Sequence, residues 1–160
     1  MTESQKTTDA LVQLVTFRVG NVSFGMEIGC VQEINQLLDV TRVPESHEMI
    51  LGVVSLRGDV VTVLDPHRIF DVQMSGDAAD RRNLILNFGG ERVGLLVDGV
   101  SEILTIRESQ LSVRPGNLHG IERSFVRAVY LQNENVIVVL DPVAMLEAID
   151  QTIGVGSVMV

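Results

Sequence analysis

Catalysis and metal binding need particular residue types at particular spacings, and this chain has few of them. Its three histidines and its one cysteine lie far apart, at His47, His67, His119 and Cys30. They form no His-x-x-x-His or Cys-x-x-Cys pattern, and the chain has no Gly-x-Ser-x-Gly sequence. Each histidine is interpreted as a surface loop residue, and Cys30 as a small core residue. The sequence therefore predicts no catalytic site, no metal and no cofactor.

One pair of charged residues has the chemistry to recognise a partner. Arg57 lies at a predicted turn inside the most apolar stretch of the chain. Glu33 lies in the sequence Val-x-Glu-Ile, which begins at Val31 and recurs with its last residue at Ile103. Arg and Glu are mostly exposed in proteins, so periodicity alone favours solvent-exposed positions for Arg57 and Glu33. It favours core positions for the apolar Val31 and Ile103.

The elements that must position these residues occur twice. Val22 to Ile34 aligns without gaps with Glu91 to Ile103, and the two segments share a glycine, a valine, a glutamate and an isoleucine at matching positions. In the same order, Val53 to Pro66 resembles Ala128 to Pro142, and both end in Leu-Asp-Pro. The sequence therefore predicts one small β unit that is used twice.

Turn residues between runs of alternating apolar residues predict hairpins in both halves. The first hairpin turns at Gly20-Asn21 in the first half and at Gly89-Gly90 in the second. The second hairpin turns at Arg57 to Asp59 in the first half and at Gln132 to Asn135 in the second. Short strands with few helices predict small closed or nearly closed barrels, because open apolar sheets would expose their edges.

Helices are predicted in both halves. Each half has an Asp-Pro pair, in which an N-capping residue precedes a proline, and this pattern predicts helices at His67 to Phe70 and Val143 to Ile149. One further short helix is predicted after the first hairpin of each half, at Val31 to Leu37 in the first half and at Val100 to Leu104 in the second.

The whole chain is predicted to form a single domain built from two barrel halves, residues 11–71 and 81–148. The polar, glycine-bearing residues 72–80 are the predicted linker, which we expect to be exposed and mobile. Residues 1–10 and 150–160 are predicted to be flexible termini.

Composition bounds the possible partners. The chain has 160 residues, 46% of them hydrophobic, and a formal net charge of −9. This size and apolar content are enough for a substantial core. The acidic balance excludes nucleic acid and an anionic membrane surface as the main partner. No apolar run approaches the roughly 20 residues that span a bilayer, and the polar first residues do not resemble a signal peptide. We therefore expect a cytoplasmic protein without membrane insertion.

A family resemblance rests on several motifs in a fixed order. The sequence Gly-Val-Val-Ser-Leu-Arg-Gly, from Gly52 to Gly58, precedes an apolar strand that ends at Asp65. It follows the Val-x-Glu-Ile sequence that ends at Ile34, and precedes Val-Asp-Gly-Val at Val97 to Val100. This combination resembles the CheW family of chemotaxis coupling proteins, and the similarity extends from Leu14 to Leu146.

The resemblance implies a mainly β fold of two five-stranded SH3-like barrels. They would be related by a pseudo-twofold axis, with short helices, a C-terminal helix and a groove between the barrels. It also implies an adaptor that is not an enzyme. Such an adaptor joins the cytoplasmic tip of a methyl-accepting chemoreceptor to the regulatory domain of a CheA-type histidine kinase. It is expected to be largely monomeric alone and to be recruited to membrane-anchored receptor arrays, where other adaptors are further partners.

Individual residues take roles from the same resemblance. Val31, Glu33, Gly52, Arg57 and Ile103 match family positions associated with receptor or kinase coupling, and they are predicted to bind the receptor. Glu33 and Arg57 are expected to form an ion pair at the groove.

Two loops complete the predicted contacts. The resemblance implies a kinase-binding loop composed of Val40, Thr41, Val43 and Pro44. Pro115 to Asn117 is expected to touch a neighbouring kinase or adaptor.

Alternatives to a chemotaxis adaptor remain open at this point. CheW-like adaptors also serve pilus motility and second-messenger pathways. A β-barrel module that binds a small molecule would need a buried pocket with convergent polar groups, and barrels filled by side chains would exclude it. A homo-oligomeric scaffold would pair through an edge strand, and monomeric behaviour in solution would exclude it.

Overall fold

The computed structural model describes residues 9–36, 39–44, 46–88, 90–112 and 121–153. The predicted contact loop Pro115 to Asn117 and the predicted surface residue His119 lie outside the described residues.

Strands dominate the described part of the chain. The strands are β1 (Leu11–Val19), β2 (Val22–Glu27), β3 (Val31–Gln36), β4 (Ile50–Leu56), β5 (Asp59–Leu64), β6 (Arg82–Phe88), β7 (Glu91–Val97), β8 (Gly99–Arg107), β9 (Leu111–Ser112), β10 (Val126–Gln132) and β11 (Asn135–Leu140). Two α-helices, α1 (Pro66–Phe70) and α2 (Pro142–Ile153), follow β5 and β11. The prediction of a mainly β protein with a C-terminal helix is confirmed.

Each α-helix begins at its Asp-Pro pair, as predicted. The Asp65 side chain accepts a hydrogen bond from the backbone N–H of His67 at 3.0 Å, and Asp141 accepts one from Ala144 at 3.1 Å. These bonds satisfy N–H groups that have no partner within the first turn of a helix. The second helix continues to Ile153, so the helix extends into the segment that was expected to be a flexible terminus.

The prediction of a short helix after the first hairpin of each half is wrong. Val31 to Gln36 forms β3, and Val100 to Leu104 lies within β8. Along β3 the residues alternate between partly buried and exposed, which is the period of a strand. Both segments pair with a hairpin strand, β3 with β6 and β8 with β1, and this pairing overrides their weak local helical pattern.

The strands form two sheets, and each sheet takes strands from both halves of the chain. One sheet has the order β8-β1-β2-β11-β10-β9 and the other has the order β3-β6-β7-β5-β4. We call them barrel 1 and barrel 2. Each barrel thus contains the first hairpin of one half, flanked by strands of the other half. The flanking contacts are parallel, β2 with β11 and β7 with β5.

The prediction that residues 11–71 and 81–148 each close a barrel of their own is therefore wrong. A turn determines which two strands form a hairpin, but tertiary packing decides which strands flank that hairpin. The predicted symmetry is nevertheless visible in the strand orders. Apart from β9, the two sheets match element for element, with β1, β2 and β8 in the places of β6, β7 and β3.

Chain connections show that both sheets curl. In barrel 1, β8 and β9 lie at opposite edges of the strand order, yet only the short 3-10 helix Glu108–Gln110 separates them in sequence. In barrel 2, the chain that leaves the edge strand β3 reaches the opposite edge, where Thr41 forms a bridge with Val53 of β4. The two edges of each sheet are thus brought close together, as a small barrel requires.

Apolar side chains form three core clusters. The largest is shared by both sheets and both helices, and its aromatic rings Phe17, Phe24 and Phe70 stack with centroid distances of 5.8 and 4.5 Å. A second cluster, which includes Val54 and Ile85, lies within barrel 2. The third lies within barrel 1. The central cluster holds the two barrels against each other.

Candidate functional site

The predicted ion pair between Glu33 and Arg57 is present. Arg57 occupies the first position of the β4–β5 turn with a φ of 51°, and Gly58 follows with a φ of 85°. Both terminal nitrogens of the guanidinium bond to the Glu33 carboxylate, Nη2 to Oε1 at 3.1 Å and Nη1 to Oε2 at a shorter distance. Hydrogen bonds from Arg57 are the main cause that lowers the pKa of Glu33, and the carboxylate in turn raises the pKa of Arg57.

The two partners of this ion pair differ in exposure. The Arg57 side chain is 66% exposed, whereas that of Glu33 is 17% exposed. Glu33 lies opposite Ile85, a core residue of barrel 2, so it sits on the strand face that points into that barrel. A guanidinium has five N–H donors, and this pairing leaves some of them for an acceptor on a partner. The arrangement is an exposed donor group that is held in one orientation by a partly buried acceptor.

Exposed apolar residues lie on β3 and β8, the equivalent strands of the two barrels. Ile103 is 54% exposed on β8, opposite the buried Val15. Ile34 is 40% exposed on β3, opposite the core residue Leu84. The predicted contact residue Val31 is instead partly buried against the central core. Ile34 was not among the predicted contact residues, although it is exposed and the repeat aligns it with Ile103.

Gly52 lies against the predicted kinase-binding loop. A Cβ atom built at Gly52 would be 2.2 Å from the Thr41 carbonyl oxygen and 2.9 Å from Cγ1 of Val40. Thr41 and Val53 exchange two backbone hydrogen bonds of 2.8 and 2.9 Å across this contact. Gly52 thus supports the loop by permitting a close backbone approach.

The loop itself borders an open groove. Val40 packs against the core of barrel 2, and Val43 is 42% exposed. The groove has a volume of about 400 Å³, and Val43, Pro44 and Arg68 are among its lining residues. The structure thus brings together two sets of predicted site residues, Glu33 with Arg57 and Gly52 with this loop, whereas Ile103 lies in barrel 1.

His67 does not lie in an exposed loop, contrary to the prediction. It belongs to α1, its side chain is 13% exposed, and its Nε2 lies 2.8 Å from Oδ2 of Asp98. Asp98 is fully buried and accepts a hydrogen bond of 2.7 Å from the backbone N–H of Gly20. This contact ties α1 to the β1–β2 turn and to the connection between β7 and β8.

Apolar side chains occupy the interiors of both barrels. Residues such as Val63 and Ile85 fill barrel 2, and Leu14 and Val139 are among those that fill barrel 1. This packing disfavours a barrel that holds a small molecule in its interior. Within the described ranges, no three His, Cys, Asp or Glu side chains are grouped to hold a metal ion. The described helices include none that is long and apolar enough to cross a membrane.

Comparison with known families gives a clear result. The family model of the CheW-like domain matches residues 13–150, most of the chain and both barrels. The chain belongs to the CheW family. It is therefore a member of the chemotaxis coupling and scaffold proteins.

Individual CheW proteins are similar over most of their length. "Chemotaxis protein CheW" of Rhizobium meliloti (strain 1021) is 36% identical over 121 residues, which cover 73% of this chain and 76% of the relative. The protein of the same name from Klebsiella aerogenes is 30% identical, and the match covers 81% of this chain and 78% of that relative. The crystal structure of the scaffolding protein TtCheW from Thermoanaerobacter tengcongensis superposes with a TM-score of 0.76 at 27% identity. The match covers 82% of this chain and 85% of that one.

Proposed function

We propose that this CheW-family protein is a non-catalytic adaptor that couples the cytoplasmic tip of a chemoreceptor to a CheA-type histidine kinase. The observation that carries the receptor side of the proposal is the Glu33–Arg57 pair, because it holds an exposed guanidinium in a defined orientation. A protein with a net charge of −9 that keeps such a group at a β-turn has a specific donor for a partner.

The receptor tip is a helical hairpin, and a helix binds to another protein through one face. The exposed apolar residues Ile34 and Ile103 provide contact area for the apolar positions of that face. Arg57 donates hydrogen bonds to a carboxylate or carbonyl acceptor on the helix and sets its register. The apolar contacts supply affinity, and the ion pair supplies orientation.

The kinase binds through the loop from Val40 to Pro44. This loop is tied to β4 by the Thr41–Val53 bridge, so it presents the exposed Val43 in a fixed position. Because this loop and the ion pair are separate groups of residues, one adaptor can contact a receptor and a kinase at once. The adaptor itself is cytoplasmic and joins membrane-anchored receptor arrays through these contacts.

Reversal of one charge tests the receptor surface. Arg57→Glu places two like charges together and removes the donors, so we expect receptor binding to weaken by roughly tenfold or more, as for the loss of an arginine at a binding hot spot. The assay is receptor-dependent stimulation of kinase activity, with the melting temperature measured in parallel. The melting temperature should change little, because the Arg57 side chain is exposed.

Two further variants sharpen this test. The double change Glu33→Arg with Arg57→Glu restores an ion pair but moves its donor, so the melting temperature should again change little while coupling stays impaired. Arg127→Glu is the matched control, because Arg127 forms surface ion pairs with Glu27 and Glu108 in barrel 1, whereas Arg57 and the Val40 to Pro44 loop belong to barrel 2. Normal coupling by the Arg57→Glu variant would refute the receptor assignment.

A further inference from the structure

A fully buried asparagine and a partly buried one face each other in the wall of barrel 2. Asn83 of β6 lies directly opposite Asn35 of β3. Asn83 is fully buried, and within the described residues neither its amide nitrogen nor its amide oxygen has a hydrogen-bond partner. The amide nitrogen of Asn35 is also buried without a partner among those residues. Buried amides are nearly always hydrogen-bonded, so this pair needs an explanation.

The internal repeat shows that the fold does not require amides at these positions. In barrel 1 the equivalent residues are Leu14 of β1 and Leu104 of β8, which pair in the same register. Leu14 is fully buried in the core of that barrel, and Leu104 packs against it there. The same two positions are therefore apolar in one barrel and polar in the other.

Neighbouring glycines confirm that the two positions are equivalent. A Cβ atom at Gly25 would be 3.5 Å from Cδ1 of Leu14, and one at Gly94 would be 2.7 Å from Oδ1 of Asn83. Each of these side chains thus lies over the matching glycine of the adjacent strand. Leucine and asparagine have the same number and branching of side-chain heavy atoms, so barrel 2 contains an amide where barrel 1 has an apolar residue of the same shape.

The asparagine pair is next to the proposed receptor site. Glu33 and Asn35 are two residues apart on one strand, so their side chains share a face. Asn35 is close enough to help Arg57 lower the pKa of the Glu33 carboxyl, although its amide nitrogen does not reach hydrogen-bonding geometry. Glu33, Asn35 and Asn83 therefore lie on one face of the β3–β6 pair, and Arg57 bonds to the first of them.

We propose that Asn35 and Asn83 bind an ordered water molecule that also hydrogen-bonds to Glu33, and that they thereby position the carboxylate that holds Arg57. A buried water commonly makes about three hydrogen bonds to polar groups that otherwise have no partner. These two amides and this carboxylate offer both donors and acceptors to one water molecule. The asparagines are positioning residues. Their effect on the receptor rests on the proposed function, whereas the water site does not.

The water site is tested on the isolated protein by NMR. We expect cross-relaxation between a long-lived water and the side-chain amide protons of Asn83. We also expect Asn83→Leu to raise the pKa of Glu33 toward the ordinary range of a glutamate, measured by carboxyl ¹³C titration. Asn135→Leu, at an exposed position of barrel 1, is the matched control and should leave that pKa unchanged. Absence of the water signal, or an unchanged pKa in Asn83→Leu, would overturn the proposal.

A double-mutant cycle provides a second, independent measurement. Asn35→Leu or Asn83→Leu alone leaves the other amide with fewer partners, so each single variant should melt below the wild type. The double variant recreates the leucine pair of barrel 1 and should melt above both single variants. Additive losses in the double variant would mean that the two amides do not share a partner, and would overturn the water site.

Function is measured last, on the folded double variant. A raised Glu33 pKa together with reduced receptor-dependent kinase stimulation supports the positioning role. If the pKa rises and Arg57→Glu also leaves coupling intact, the water site stands and the proposed receptor contact fails. If Arg57→Glu abolishes coupling while the double variant couples normally, the positioning role is overturned.

Discussion

Gly52→Ala should destabilise the protein and detach the loop that carries Thr41. The new Cβ would lie 2.2 Å from the Thr41 carbonyl oxygen, well inside contact distance, and that oxygen accepts the hydrogen bond from Val53. The carbonyl must move, so both backbone hydrogen bonds of the Thr41–Val53 bridge are lost. The φ of Gly52 is +154°, a value that L-residues rarely adopt.

The magnitude follows from these two effects. Each lost backbone hydrogen bond costs about 1 kcal/mol net, and a strained backbone conformation costs about 1 kcal/mol or more. We therefore expect the free energy of unfolding to fall by about 3 kcal/mol. For a chain of this length, that change lowers the melting temperature by roughly 6–12 °C.

Two glycines serve as controls in urea and thermal unfolding. Gly58 has a φ of +85°, and a Cβ atom added there would have no heavy atom within 4 Å, so Gly58→Ala reports backbone strain alone. Gly29 has neither a positive φ nor a close neighbour, so Gly29→Ala should change stability by less than about 0.5 kcal/mol. If Gly52→Ala costs no more than Gly58→Ala, the close approach to Thr41 does not exist in solution.

Binding measurements on Gly52→Ala show whether Gly52 supports the kinase-binding loop or the receptor-binding surface. We expect affinity for the kinase to fall while the folded protein still binds the receptor, because Gly52 contacts the loop and not the Glu33–Arg57 pair. An equal loss of receptor affinity would show that Gly52 belongs to the receptor surface.

Two other predictions concern charged groups. Asp98→Ala leaves the backbone N–H of Gly20 buried without its acceptor, and urea unfolding should show a loss of about 2 kcal/mol; an unchanged midpoint would contradict the buried contact. The pKa of Glu33 is lower in the folded protein than in the unfolded chain. The ion pair therefore stabilises the protein fully at pH values above the pKa of the unfolded chain. This contribution is lost as the pH falls through the lower pKa of the folded protein. Receptor binding should therefore weaken only below the usual titration range of a glutamate, and Arg57→Gln should remove this pH dependence.

Hairpins and helix starts could be predicted because their determinants are local. Turn residues such as Gly20 and Asn21 select the pairing of the strands on either side. Asp65 and Asp141 cap helices whose first residues follow them directly. In each case the interacting atoms are only a few residues apart, so the sequence pattern contains the whole interaction.

The prediction of β3 as a helix failed for the opposite reason. Its strand conformation depends on pairing with β6, whose residues lie about fifty positions further along the chain. Similarly, only the family resemblance linked Glu33 to Arg57, and their contact depends on how β3 and the β4–β5 turn meet in barrel 2.

By itself the sequence determined that this protein is a duplicated β unit of the CheW family, with its hairpins, its capped helices and its charged pair. Only the tertiary structure decided that the two halves exchange hairpins, that Gly52 supports the Thr41 loop, and that Asn83 lies buried where barrel 1 has Leu14. The physical reason is that strand partners outside a hairpin are chosen by the burial of apolar surface over the whole chain. That free energy is a property of the assembled core and not of any local segment.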